Sequence, residues 1–86
     1  MTPPYHYTVD DAVLQRFAGA TRRQREKLLR IFDQLAEKPF LEGDTVQMDP
    51  VGRPCQVKRF GDWTIIYWPE HLSRQVHIIA TEHLRN

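Results

Sequence analysis

The sequence predicts a small α+β domain with the order strand, helix, helix, three strands, in which an α-hairpin packs on one face of an antiparallel sheet. Three observations predict this class. A strand-forming segment opens the chain, two amphipathic helical patterns follow it, and a tight-turn signal lies within a strand-rich region from Arg53 to Ala80. The 86 residues fit one domain, so residues 1–86 are predicted to form a single unit.

The first strand and the first helix follow from local signals near the amino terminus. Residues from Tyr5 to Val9 are rich in strand formers, and Asp10 after them is a plausible helix N-cap. Gly19 is expected to end the helix. The apolar positions of this helix have helical spacing, and they are Val13, Leu14 and Phe17.

The second helix has the stronger signals and is predicted from Thr21 to Glu37. Thr21 and Gln24 have the spacing of a capping box, in which each side chain bonds the backbone N–H of the other residue. Pro39 stops the helix, because proline cannot donate the next backbone hydrogen bond. The apolar stripe of this helix contains Leu28, Leu29, Ile31, Phe32, Leu35 and Ala36.

The segment from Phe40 to Gly52 is rich in turn residues and predicts an irregular connection, with room for a short extended piece at Val46 to Met48. After it, Gly61-Asp62 predicts a two-residue type II′ hairpin, because its first loop position requires a positive φ. That turn sets Phe60 opposite Trp63 and fixes the register of the hairpin.

Strand alternation then sorts the hairpin side chains onto two faces. The expected core face carries Cys55, Val57, Ile66 and Trp68, with Arg59 and Thr64 at its turn end. The opposite face is the expected working face, and it carries Gln56, Lys58, Phe60, Trp63, Ile65 and Tyr67.

The third strand, from Gln75 to Thr81, extends both faces. Its core positions are predicted to be Val76, Ile78 and Ala80. The other parity places His77 on the working face, and the same parity continued along the chain adds His83 and Arg85 to it.

Composition excludes several functions. The 12 Lys and Arg residues exceed the 11 Asp and Glu residues by one, which is far from the basic excess of a dedicated nucleic-acid domain. The single Cys55 excludes an internal disulfide, and the four histidines have no close ligand spacing, so no metal and no cofactor are expected. Without a membrane-length apolar run or a signal-like amino terminus, the expected location is cytoplasmic and no membrane partner is expected.

The element order, the hairpin CQVKRFGDWTIIYW and the closing strand QVHIIATEH together resemble the RelE/ParE superfamily of toxins from type II toxin–antitoxin systems. The resemblance covers nearly the whole chain. It implies a toxin that cuts messenger RNA on the ribosome without a metal, which would make the chain a ribosome-dependent endoribonuclease that inhibits translation. It also implies a cognate antitoxin as the partner.

The resemblance further implies roles for individual residues. The family's strand lysine corresponds to Lys58, its strand-ending tyrosine to Tyr67, and a basic residue at the end of the last strand to His83, which makes these three the catalytic candidates. Metal-free cleavage needs a base, an acid and a cation, and such side chains can supply them. The candidates for RNA binding are Gln56, Trp63, His77 and Arg85.

Other functions remain open at this point. Thr64 stands where the family commonly has Arg, and the chain ends at Asn86 without the functional tyrosine tail of several ribonuclease members. These departures leave open whether the chain is an enzyme. The alternatives are a non-catalytic ParE-like toxin that binds DNA gyrase and a non-toxic binding module on the same fold. A homodimer and a heterocomplex are both compatible with the small core.

Overall fold

The computed structural model describes residues 4–84. Within this range no helix is long and apolar enough to cross a membrane. Two helices and five strands follow one another in the order β1 (His6–Val9), α1 (Asp11–Ala18), α2 (Arg22–Glu37), β2 (Thr45–Met48), β3 (Pro54–Phe60), β4 (Trp63–Glu70) and β5 (Gln75–His83). The predicted α+β class is confirmed, and the extended piece at 46–48 is the strand β2.

The five strands form one sheet in the spatial order β1-β5-β4-β3-β2. Neighbours from β2 to β5 are antiparallel, whereas β1 runs parallel to β5, so the sheet is mixed rather than purely antiparallel. A parallel pair requires a long connection. Here both helices and three strands lie between its two members in the chain.

The helices begin and end where the sequence signals lie. Both hydrogen bonds of the capping box are present, because Thr21 Oγ1 accepts from the Gln24 N–H at 3.2 Å and Gln24 Oε1 accepts from the Thr21 N–H at 2.8 Å. Helix α2 ends at Glu37, two residues before Pro39. The side chains that the two helices bury are Val13, Leu28, Ile31, Phe32 and Leu35.

The hairpin register is confirmed. Phe60 pairs with Trp63, Val57 pairs with Ile66, and Gly61 has a φ of 61°, the left-handed value that the turn requires. Strand β4 also carries the predicted alternation of two faces. The structure therefore tests directly which face meets the helices.

The assignment of the two faces is wrong, although Cys55 is buried as predicted. Trp63, Ile65 and Tyr67 are 3%, 0% and 1% exposed and pack in the cluster that contains the helix side chains. Strand β4 is apolar on both faces, so only the polar residues Gln56 and Lys58 of β3 favour the predicted assignment. Trp63, Ile65 and Tyr67 bury more apolar surface than the side chains of the opposite face would. The burial of apolar surface decides which face of the sheet packs against the helices.

The polar residues of β3 avoid a buried apolar setting because the chain between α2 and β2 covers them. Gln56 Oε1 accepts from the Gly43 N–H at 2.7 Å, and Lys58 Nζ lies 3.6 Å from Asp44 Oδ1. They therefore share a side of the sheet with Tyr67 but contact a polar loop. This is why polar side chains on β3 were a poor guide to the core face.

A bulge in β5 changes the parity of the last strand. Ile66 pairs with Ala80 but Tyr67 pairs with Ile78, so Ile79 is the extra residue. Val76 and Ile78 are fully buried as predicted, whereas Ala80 lies opposite Ile66 on the other face. After the bulge, Thr81 is buried and His83 turns to the helix side.

A candidate site on the uncovered face of the sheet

The face of the sheet that points away from both helices is called the open face here. Its central side chains follow from the register on either side of the bulge, and they are Thr8, Val57, Arg59, Thr64, Ile66, Trp68, His77, Ala80 and Glu82. Among the described residues, neither helix contributes to this face. Charged and aromatic side chains are therefore accessible on it.

One end of the open face carries a row of stacked side chains. The guanidinium of Arg53 lies 3.9 Å from the ring centroid of Trp68, and the centroids of Trp68 and His77 are 4.5 Å apart. A cation over tryptophan is attracted by the negative face of its ring. The row therefore places a guanidinium, an aromatic surface and an imidazole side by side, and the guanidinium also lies 3.5 Å from Asp49 Oδ2.

Both ring nitrogens of His77 have polar neighbours. Nδ1 lies 2.7 Å from Thr8 Oγ1, and Nε2 lies 3.9 Å from Glu70 Oε2. In the neutral imidazole the carboxylate favours a proton on Nε2, because a carboxylate only accepts, and Nδ1 then accepts from the Thr8 hydroxyl. The side chain of His77 is 23% exposed and that of Glu70 is 36% exposed, so both can be reached from solvent.

The other end of the open face forms a shallow depression of about 200 Å³, lined by Arg59, Thr64, Glu82, His83 and Leu84. The Nε–H of Arg59 donates to the Gly61 carbonyl at 3.0 Å, which holds the guanidinium at the turn. Thr64 and Trp68 are four residues apart on β4, so the two ends are separated by about 13 Å.

The structure disperses the predicted catalytic residues. Tyr67 is buried, and its hydroxyl donates to the Leu41 carbonyl at 2.9 Å. Burial raises the pKa of Tyr67 to about 12, with a smaller contribution from the Asp44 carboxylate. Lys58 and His83 lie on β3 and β5, on either side of β4 and two residues out of line, so their backbones are separated by about 12 Å.

Lys58 is paired with Asp44, an exposed carboxylate. The Arg59 backbone N–H donates to Asp44 Oδ2 at 2.9 Å. That hydrogen bond, followed by the positive charge of Lys58, lowers the pKa of Asp44. The ammonium group of Lys58 therefore has a charged partner beside the hairpin.

The predicted RNA-binding residues also separate. His77 is on the open face, whereas Trp63 is buried in the core and Gln56 is bonded to the loop at Gly43. The bulge places His77 and His83 on opposite faces, so the prediction that they share one face is wrong. Arg85 lies outside the described residues.

The sequence reasoning missed Arg53, Trp68 and Glu70 as site residues. The sequence pattern places Trp68 on the expected core face and predicts no site role for Arg53 or Glu70. The hairpin register contained one signal for Trp68. If the two predicted faces of the hairpin are exchanged, Trp68 lies on the same face as His77, the residue with which it pairs. Within residues 4–84, no cluster of three or more His, Cys, Asp or Glu side chains could hold a metal ion.

Comparison with known sequences and structures separates two levels of similarity. No protein-family profile matches this chain, and no curated protein matches it. Solved structures do match. The toxin–antitoxin complex RelBE2 from Mycobacterium tuberculosis matches over 94% of this chain and 99% of its own, with 15% identity and a TM-score of 0.77.

Two further structures give the same result. The archaeal RelE–RelB complex from Pyrococcus horikoshii matches over 94% of this chain and 96% of its own, with 14% identity and a TM-score of 0.72. The isolated RelE toxin of E. coli matches over 95% of this chain and 86% of its own, with 17% identity and a TM-score of 0.73. The chain therefore has the fold of the RelE toxins along almost its whole length.

Proposed function

We propose that this chain is a RelE-type toxin that cuts messenger RNA on the ribosome and is neutralised by a small antitoxin protein. The observation that carries the proposal is the RelE fold over at least 94% of the chain, found twice in structures of a RelE protein with its RelB partner. The open face adds chemical support, because it holds an imidazole, a carboxylate and a guanidinium within one row.

In this proposal the open face cleaves RNA through its own side chains. Glu70 takes the proton of the ribose 2′-hydroxyl, whose oxygen forms a bond to phosphorus as the bond from phosphorus to the 5′-oxygen breaks. His77, which carries protons on both ring nitrogens at this stage, gives its Nε2 proton to that 5′-oxygen and becomes neutral. The products are a 2′,3′-cyclic phosphate and a 5′-hydroxyl, and proton transfer from Glu70 to His77 restores the starting state.

Arg53 and Trp68 bind the substrate in this proposal. The guanidinium of Arg53 stabilises the negative charge that develops on the phosphoryl oxygens. The ring of Trp68 offers a surface for an extruded base, an interaction worth roughly 1–3 kcal/mol. Thr8 is a positioning residue, because its hydroxyl oxygen accepts from the protonated Nδ1 and orients the ring of His77 without contacting RNA.

The roles that the family resemblance implies for Lys58, His83 and Tyr67 are retained as separate proposals. Lys58 and His83 are accessible in part and can contact RNA beside the open face. Tyr67 would have to lose its hydrogen bond to Leu41 before its hydroxyl could reach a substrate. Alanine at Lys58 or His83, and phenylalanine at Tyr67, tests each role.

Expression without any antitoxin in a bacterial host tests the proposed function. The wild-type chain is expected to arrest growth and to degrade messenger RNA, whereas H77Q is expected to be harmless at the same protein level. H6A is the matched control, because His6 is an exposed histidine on the edge strand β1. Normal growth with intact messenger RNA, in cells that contain folded wild-type protein, contradicts the proposal.

A second candidate function is a non-catalytic module on the same fold, such as a gyrase-binding toxin. Two residues of the open face favour this candidate. Thr64 stands where the resemblance leads one to expect Arg, and Glu82 lies opposite Thr64. A carboxylate at that position repels RNA phosphates. Growth arrest with a DNA damage response and intact messenger RNA would support this candidate over the ribonuclease.

A further inference from the structure

A cleft on the helix side of the sheet shares only His83 with the depression on the open face. It has a volume of about 340 Å³ and lies between the end of α1, the start of α2 and the end of β5. Ligand pockets in proteins commonly measure about 300–1,000 Å³, so the cleft can hold more than a single ion. Its lining contains Arg16, Gly19, Ala20, Gln24, Trp63 and His83.

The ionisable groups that line this cleft carry or can carry positive charge. Arg16 and His83 are those groups, and no carboxylate is part of the lining. Among residues 4–84, Arg16 forms no ion pair or hydrogen bond, so its guanidinium donors are available. An anion is therefore the ligand that this lining favours.

The capping box of α2 supplies a third donor. Gln24 Oε1 already accepts from the Thr21 N–H at 2.8 Å. The side chain of Gln24 lines the cleft, and its amide NH₂ is therefore able to donate hydrogen bonds to a ligand there. Arg16, Gln24 and His83 thus bring donors from three separate elements to one cavity, above the ring of Trp63.

We propose that this cleft binds a phosphate group, carried by RNA or free in solution. A phosphate presents three acceptor oxygens, which matches three donors that approach from α1, α2 and β5, whereas a carboxylate presents two. His83 is in van der Waals range of Trp63, with ring centroids 4.7 Å apart, so the indole reports on any ligand that displaces the imidazole. The site does not depend on the proposed chemistry of the open face.

Tryptophan fluorescence measures this binding in a W68F background. The chain has two tryptophans, so Trp63 is then the only indole, and Trp68 cannot report binding on the open face. Inorganic phosphate and a short single-stranded RNA are the two probes. A saturable change with RNA alone assigns the phosphate to a polymer, and a saturable change with both probes assigns the site to phosphate in general.

Two substitutions remove the donors without removing the fold. Q24E keeps the capping box, because glutamate also serves at that position, but it replaces the amide donor by a carboxylate. R16Q removes the guanidinium. Each is expected to weaken binding about tenfold or more, the effect of losing a charge-assisted hydrogen bond or of adding a like charge.

The matched control is R22Q, which removes one positive charge from the exposed side of α2, where Arg22 pairs with Glu26. Unchanged binding in R22Q beside weakened binding in Q24E and R16Q supports the site, provided that circular dichroism gives the same melting curve for all variants. Equal weakening in all three variants overturns it, as does the absence of a saturable change. Binding of a glutamate-rich peptide in place of phosphate and RNA also overturns it.

Discussion

His77 Nε2 lies 3.9 Å from Glu70 Oε2 on the open face, and the same imidazole stacks on Trp68 with a centroid distance of 4.5 Å. These contacts join residues from both sides of the loop between β4 and β5. They also place His77, a predicted site residue, next to a carboxylate that the sequence did not indicate. The chemistry proposed for this chain depends on that pair.

The first prediction concerns the face that meets the helices. Ile65 is fully buried, whereas its neighbour Ile66 is half-buried on the open face. I65A should lower the free energy of unfolding by about 2–5 kcal/mol, because it leaves a cavity in the core. I66A should cost less than half as much, as measured by urea denaturation. Equal losses in the two variants would contradict the face assignment.

The second prediction concerns the buried phenol of Tyr67 and its pKa of about 12. The raised pKa means that the folded state favours the neutral phenol, so this stabilisation is complete below the unfolded pKa near 10 and is lost as the pH rises toward 12. Below pH 10, Y67F should be less stable than wild type by about 1 kcal/mol, because it lacks the hydrogen bond to Leu41.

Between pH 10 and pH 12 the difference should shrink and then reverse, since wild type alone loses on the order of 2 kcal/mol over this range. Denaturation of both proteins across that range measures the effect, and other titrating groups cancel in the difference. A stability gap that stays constant from pH 8 to pH 12 would show that the Tyr67 pKa is not raised.

The third prediction concerns the stacked row on the open face. R53Q and W68A should each weaken binding of single-stranded RNA about tenfold, through the loss of a phosphate contact and of a stacking surface. W68F should retain most of the affinity, because it keeps an aromatic ring. Filter binding at fixed salt measures this, with R22Q as the charge-matched control. RNA affinity that is the same for R53Q, W68A and R22Q would place the binding surface elsewhere.

The fourth prediction separates the catalytic residues from the positioning residue. H77Q and E70Q should each reduce the cleavage rate by about 10²–10⁴, the usual contribution of general acid–base catalysis. T8V should reduce it by about tenfold, and H77Q should remove the additional effect of T8V because Thr8 acts only through His77. Additive losses in the double variant would assign Thr8 a separate role.

Much of the fold could be predicted because the deciding signals are local. The capping box of Thr21 and Gln24, the stop at Pro39 and the Gly61-Asp62 turn each act over a few residues, and all three lie where expected. The register of the hairpin followed from the turn alone. Local backbone requirements were therefore sufficient for the element order and the pairing of β3 with β4.

The site could not be predicted because it depends on two properties that are not local. Strand β4 is apolar on both faces, so only packing against α2 decides whether Ile65 or Ile66 is buried. No turn residue in the sequence indicates the bulge at Ile79, yet the bulge places His77 and His83 on opposite faces of the sheet. A single parity change thus moved one predicted residue into the helix-side cleft and left the other on the open face.

The most direct test of the central claim is a cleavage assay with purified protein, programmed ribosomes and a defined messenger RNA. The wild-type chain should cut the message only when the ribosome is present and should leave a 2′,3′-cyclic phosphate. H77Q should be inactive while H6A remains active. Full activity in H77Q, or an intact message after incubation with folded wild-type protein, would contradict the account.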